Sequence, residues 1–290
     1  MTGPPVVEAG GVSVTPARWH LKRVARRGIG LVGAAANRRA AARVLTYHRI
    51  EQHSRDPFSV PPHVFAVQMA ALRRSGRLTG LDGLAAVLND EPDASRDALC
   101  VTIDDLERSV FTNGLPALVE HGVPAVAFPI VAMIGQPGFV TAAQVREMAD
   151  AGVEIGSHTM THRRLGRLEP AVVLAELRES RMRLEDLLGQ RVRALAYPFG
   201  TKAAIAPWLD DLVEEAGYAF AFTSLHGAVR PGADRMRLPR VKVESGDSER
   251  LFGRLLDGAL DPWRLVDEGL GFLQRPQDGS EGIPPETSEG

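Results

Sequence analysis

Between Arg43 and Val243 the chain repeats one pattern: a short apolar run followed by a longer stretch of helical period. The runs are Arg43 to Tyr47, Ala98 to Ile103, Pro124 to Ile130, Val153 to Ser157, Arg193 to Tyr197, Tyr218 to Thr223 and Pro239 to Val243. A run that is apolar throughout, with no polar alternation, marks a strand buried on both faces, as strands of parallel sheets are. Helical patterns fall at His63 to Arg74, Ser109 to His121, Ala142 to Ala151, Pro170 to Leu188 and Ala206 to Ala216. Thr141 stands where an N-cap would, and Gly122 and Gly217 follow the last turns of two others. Strand and helix in alternation imply an α/β fold with a largely parallel sheet, and 290 residues fit a distorted (β/α)7 barrel better than an open doubly wound sheet. In either layout chemistry collects at the C-terminal ends of the strands.

Composition narrows the partners. With 34 Lys and Arg against 36 Asp and Glu, the net charge of -2 argues against nucleic acid as the main ligand. The single cysteine, Cys100, excludes both an internal disulfide and a zinc site built from several thiolates, so any metal must be held by histidines and carboxylates. No apolar run approaches the ~20 residues of a membrane-spanning helix.

The sequence divides into a basic N-terminal segment (1–42), a barrel domain (43–260) and a C-terminal extension (261–290) that is expected to be disordered from about 275. Arg18 to Arg43 holds eight Lys or Arg and no acidic residue. Arg26-Arg27 before the apolar stretch Gly28 to Ala36 has the outline of a degenerate twin-arginine export signal. Its glycines and the Arg38-Arg39 that follows favour instead a basic helix, either solvated or in peripheral contact with an acidic membrane surface. A cytoplasmic or membrane-peripheral location is therefore expected over export. Oligomeric state is not legible.

The second run ends in Thr102-Ile103-Asp104-Asp105, and the fourth in Gly156-Ser157-His158-Thr159-Met160-Thr161-His162. An isolated Asp pair is more often a helix cap or a turn. Two histidines four apart would share a face on a helical turn and could bind one ion. Joined by Asp105, they make two imidazoles and a carboxylate with positions left for water, the ligand set of a catalytic zinc or a similar ion. Asp104 would then stand beside that water as a general base. His20, His53, His63 and His121 belong to no such constellation. The chain has no Gly-x-Ser-x-Gly elbow, and Cys100 lies inside an expected buried strand, so a Ser or Cys nucleophile is not expected.

These residues resemble the polysaccharide deacetylases of carbohydrate esterase family 4. The resemblance spans roughly 43–243 and rests on Leu45-Thr46-Tyr47-His48-Arg49, Thr102 to Asp105, Gly156 to His162, Tyr197-Pro198-Phe199-Gly200 and Leu238-Pro239-Arg240. It implies a metal-dependent hydrolase on a distorted β/α barrel that removes acetyl groups, N-acetyl favoured, from an acetylated oligo- or polysaccharide. It makes Asp104 the base and makes Asp105, His158 and His162 the ligands of one divalent ion, zinc favoured, with cobalt or nickel as alternatives. Tyr197, Pro198 and Phe199 would line the substrate groove, with the Phe199 N–H assisting the oxyanion.

The chain also departs from that family. Leu106 follows the Asp pair where glycine is usual, and Ala196 replaces the arginine that usually contacts the base. Arg240, expected at the C-terminal end of the last strand, is a candidate replacement, with a surface ion pair as its other reading. His226, in Leu225-His226-Gly227, and His48 are the candidate proton donors. Leu106 is expected on the groove floor. Two other readings stay open: a non-catalytic glycan-binding or scaffold protein, and a deacylase of a small non-polysaccharide amide.

Overall fold

The computed structural model describes residues 41–265, apart from 53–55 and 96, together with positions 24 and 28. The expected basic helix over 18–43 thus lies almost wholly outside the described residues, and the tail from 275 lies entirely outside them. Among the described residues no helix is long and apolar enough to cross a membrane.

All seven expected strands are present: β1 (Arg43–Tyr47), β2 (Leu99–Asp105), β3 (Ala125–Pro129), β4 (Glu154–Ile155), β5 (Ala194–Ala196), β6 (Phe220–Phe222) and β7 (Val241–Lys242). Around them lie α1 (Pro62–Ser75), α2 (Leu81–Leu88), α3 (Leu115–His121), α4 (Ala142–Asp150), α5 (Pro170–Leu188), α6 (Leu209–Glu215) and α7 (Glu249–Leu256). Two helices, α2 and α7, were not foreseen. The pattern expected as one helix from Ser109 begins as a π-helical turn, Val110–Gly114, before α3. Thr141 closes a capping box with Gln144 at the start of α4, satisfying backbone donors that a helix end leaves open.

Five strands form a parallel sheet in the order β4-β3-β2-β1-β7, and β5 and β6 form a parallel pair. Backbone hydrogen bonds join the two pieces at both seams. Ser157 N–H donates to Ala194 O and Ala196 N–H to Ser157 O, each at 2.9 Å, beyond β4. Thr223 N–H donates to Leu238 O at 2.8 Å on the way into β7. The result is a distorted β/α barrel. Gly156 lies at the first seam, where a Cβ would stand 2.4 Å from the Phe128 ring and 2.8 Å from Ala194 O, so no larger residue fits.

Strand alternation separates two cores. Leu45, Tyr47, Val101, Ile103, Ala127 and Leu195 face the helices. Val44, Cys100, Val126, Phe128, Ala196 and Phe222 pack together in a second cluster. Thr46, Thr102 and Asp104 share the strand parity of that second set and are buried with it.

Candidate active site

The barrel interior becomes polar toward the C-terminal ends of β1 and β2. Thr46 and Thr102 are register partners whose hydroxyls lie 3.0 Å apart, and Asp104 follows one pleat further up β2. Consecutive strand residues should point to opposite faces, so Asp105 ought to turn away from Asp104. Its backbone prevents this by entering the left-handed region, φ 65°, followed by Leu106 at φ 55°. Both carboxylates thereby serve one site.

His158 and His162 do not lie on a helical turn as the spacing suggested. They sit in the irregular segment that follows β4, where Thr159 (φ 66°) and His162 (φ 58°) are left-handed and bring the rings to 4.7 Å between centroids. His158 Nε2 is 3.4 Å and His162 Nε2 3.7 Å from Asp105 Oδ1, and the three ligand atoms all lie within 4.8 Å of one another. Two donors bound ~2.1 Å from a tetrahedral ion stand ~3.4 Å apart, so the set fits a divalent ion with little adjustment. His158 Nδ1 is 2.8 Å from Ala196 O, which fixes the ring with Nε2 toward Asp105. Ala196, lacking the expected guanidinium, thus contributes its carbonyl. Burial, and then His158, push the His162 imidazole down to about 4, so it stays neutral and able to ligate near pH 7.

Arg240 meets Asp104 from an unexpected direction. It precedes β7 and so lies at the N-terminal side of that strand. Leu45 pairs with both Val101 and Val241, which puts Arg240 near the level of Cys100, about two pleats below Asp104. The long side chain rises through the barrel. Nε donates to Thr223 O at 2.8 Å, Nη1 to Thr102 Oγ1 at 3.2 Å and to Asp104 Oδ1 at 2.7 Å, and Nη2 to Asp104 Oδ2 at 2.7 Å. Arg240 is 1% exposed, which excludes the surface ion pair. Burial alone would raise the Asp104 carboxyl; Arg240 and His158 more than offset it, and the group is held below the usual carboxylate range.

His48 follows β1 with its Nε2 4.0 Å from Asp104 Oδ2, its ring packed on Phe58 at 4.7 Å. Its side chain keeps 23% exposure, whereas His226 is 2% exposed in the segment between β6 and β7. Tyr197 does not line a groove: its ring is in the core and its hydroxyl donates to Asp210 Oδ1 at 3.3 Å. Pro198 is buried as well. Phe199, at φ 62°, is the half-buried member of that turn; its ring lies 4.9 Å from that of His162 and is covered by the Arg164 guanidinium at 3.9 Å. Leu106 is not on the groove floor but wholly buried in the helix-facing core. Burial lifts the Cys100 thiol to about 12, which makes it inert as a nucleophile.

A buried carboxylate paired to arginine, beside two imidazoles and a second carboxylate on a β/α barrel, fits hydrolysis assisted by a metal ion. Residues 91–221 match the profile of the polysaccharide deacetylase family. It is 28% identical over 221 residues to the Bacillus subtilis protein YxkH, assigned by name to the polysaccharide deacetylases, covering 74% of this chain and 75% of that protein. It is 27% identical over 168 residues to the poly-beta-1,6-N-acetyl-D-glucosamine N-deacetylase of Staphylococcus epidermidis, covering 52% of this chain and 56% of the relative. Among solved structures, IcaB from Ammonifex degensii superposes with a TM-score of 0.67 at 24% identity, over 76% of this chain and 97% of that one, and shares the fold. The matched family segment contains the Asp pair and both histidines but neither His48 nor Arg240.

Proposed function

We propose that this chain is a metal-dependent hydrolase that removes acetyl groups, N-acetyl in preference, from an oligo- or polysaccharide. The observation that carries the reading is the convergence of Asp105, His158 and His162 beside the Arg240-held Asp104. The three ligands would hold one divalent ion, zinc by the chemistry of two imidazoles and a carboxylate, with cobalt or nickel as substitutes. When bound, the ion supplies Lewis acidity, polarising the acetyl carbonyl and making water easier to deprotonate.

Asp104 accepts the proton of the attacking water. Arg240 keeps the carboxylate ionised and fixes its plane, so that its free lone pairs face the site. The backbone N–H of Phe199, in the turn after β5, would meet the oxyanion. His48 is partly open to the site, with Nε2 4.0 Å from Asp104 Oδ2, and burial holds its imidazole below the usual range. It would take over the proton that Asp104 accepts and pass it to the departing nitrogen; an amine anion leaves poorly without one. His226, being buried, is the weaker candidate for that step. The catalytic unit spans 43–260, since His48 and Arg240 stand near its two ends. Support for an N-acetylglucosamine polymer comes from the staphylococcal relative's name.

The deciding experiment measures acetate released from a panel of N- and O-acetylated oligosaccharides, with and without a chelator. Release that a chelator abolishes and zinc or cobalt restores is expected. Release indifferent to chelation overturns the reading.

A further inference from the structure

The segment that carries the two histidines has no regular structure of its own, yet it holds two left-handed residues that are not glycine, each costing about 1–2 kcal/mol. Within the segment Thr159 Oγ1 accepts from His162 N–H at 3.1 Å, and backbone bonds with Pro129, Val131 and Ala132 hold one side of it; the other side is held by α5. Each histidine is directly preceded by a residue bonded to α5. Ser157, before His158, donates from Oγ to Ser180 Oγ at 2.9 Å. Thr161, before His162, donates its N–H to Glu176 Oε2 at 2.9 Å and its hydroxyl to Glu176 Oε1. Glu176 and Ser180 are one helical turn apart on the buried face of α5, between Val173, Leu177 and Leu184. All four residues are buried: Ser157 and Ser180 at 0%, Thr161 at 5% and Glu176 at 8% exposure. Tyr218 and Leu177 O complete the network around Ser180, and Ser157 Oγ also accepts from Thr159 N–H at 3.1 Å.

We propose that Glu176 and Ser180 are positioning residues for the metal site: one rigid turn of α5 sets the spacing of Ser157 and Thr161, and through them the spacing of His158 and His162. A carboxylate on an apolar helix face has no packing role that an aliphatic residue would not fill better, and its two acceptors match the two donors of Thr161. The inference rests on the metal reading above. Groups that orient the ligands of a metal typically account for about 10- to 100-fold in affinity.

The test is Co²⁺ titration of the full chain, following the visible absorption of the bound ion alongside far-ultraviolet circular dichroism. Glu176→Gln keeps the side chain's shape but can satisfy only one Thr161 donor. It is expected to fold, to bind Co²⁺ about 10- to 100-fold more weakly and to show a shifted absorption band. Glu179→Gln, which removes an exposed carboxylate of the same helix, should bind like the wild type; an equal loss there would overturn the proposal, because the effect would be general to the helix. A folded Glu176→Gln chain with wild-type affinity and spectrum also overturns it. Should Glu176→Gln fail to fold, Thr161→Val, which removes only the hydroxyl bond, carries the decision: weaker Co²⁺ binding supports the proposal and wild-type binding overturns it. A wild-type chain that takes up no Co²⁺ overturns the metal reading, and this inference with it.

Discussion

Arg240 and Asp104 face each other edge to edge, two nitrogens on two oxygens, both at 2.7 Å, with the guanidinium almost entirely buried. On the proposed reading, the pair couples the base to the barrel's interior. Arg240→Met fills similar volume without the charge and leaves Asp104 buried and unpaired. It should lower kcat by about 10²-fold or more while changing KM little, because the ground-state contacts to sugar lie elsewhere. A loss confined to KM would move Arg240 to substrate binding.

Asp104→Asn preserves shape and cannot accept the water's proton. Turnover should fall by about 10² to 10⁴ while Co²⁺ or Zn²⁺ affinity stays near wild type. If the variant loses the metal in equilibrium dialysis, Asp104 is a ligand and the two carboxylates exchange roles.

His158→Ala removes the ligand whose ring is fixed by Ala196 O. The variant should retain no stoichiometric metal after dialysis and should release no acetate above background. Full activity in His158→Ala would remove the site from the mechanism.

Leu106 occupies a left-handed position that glycine would adopt freely. Leu106→Gly relieves about 1–2 kcal/mol of backbone strain but empties a wholly buried side-chain site, and leucine truncations of that kind cost about 3–5 kcal/mol. Burial wins on these magnitudes. The thermal midpoint should therefore fall, with metal affinity unchanged; a rise in midpoint would show that strain dominates.

The metal-free chain should lose stability in acid by a sequence that the site dictates. With its imidazole pushed down to about 4, His162 stays unprotonated when folded, whereas the unfolded chain takes up that proton near ~6.5. Between those values the unfolded state binds more protons, so stability falls as pH drops from ~6.5 toward 4. Asp104 acts lower: its contribution is complete above ~3.9 and is lost as pH falls further. Thermal midpoints of chelator-treated protein from pH 7.5 to 4.5 check the first step, and a flat profile there refutes it.

The sequence made the strands legible because a strand buried on both faces has to be apolar throughout, and all seven runs reappear within a few residues of their expected bounds. It misled where local geometry overrides spacing. A spacing of four positions between the histidines suggested a helical turn, but the left-handed backbone at Thr159 and His162 makes the approach instead. Arg240 reached Asp104 from below because a long side chain can span two pleats inside a barrel, which strand order does not convey. Glu176 and Ser180 were hidden among the apolar positions of α5; their only trace was two polar residues, one turn apart, on the face that had to be buried. The α2 and α7 helices are not legible in the sequence because each is eight residues long and carries an internal glycine.

Arg240 lies 136 positions after Asp104, which bears on how the chain matures. During synthesis the carboxylate, and later both histidines, emerge well before the cation that neutralises the barrel's interior. Until β7 follows, closing the ring would strand a charge in a dry space, at a cost of several kcal/mol. Asp104 would avoid that cost by staying hydrated or protonated until the last strand delivers both the final hydrogen-bonded edge and the counter-charge. On the proposed reading, a chain truncated before Arg240 would lack both the β7 edge and the cation that keeps Asp104 ionised.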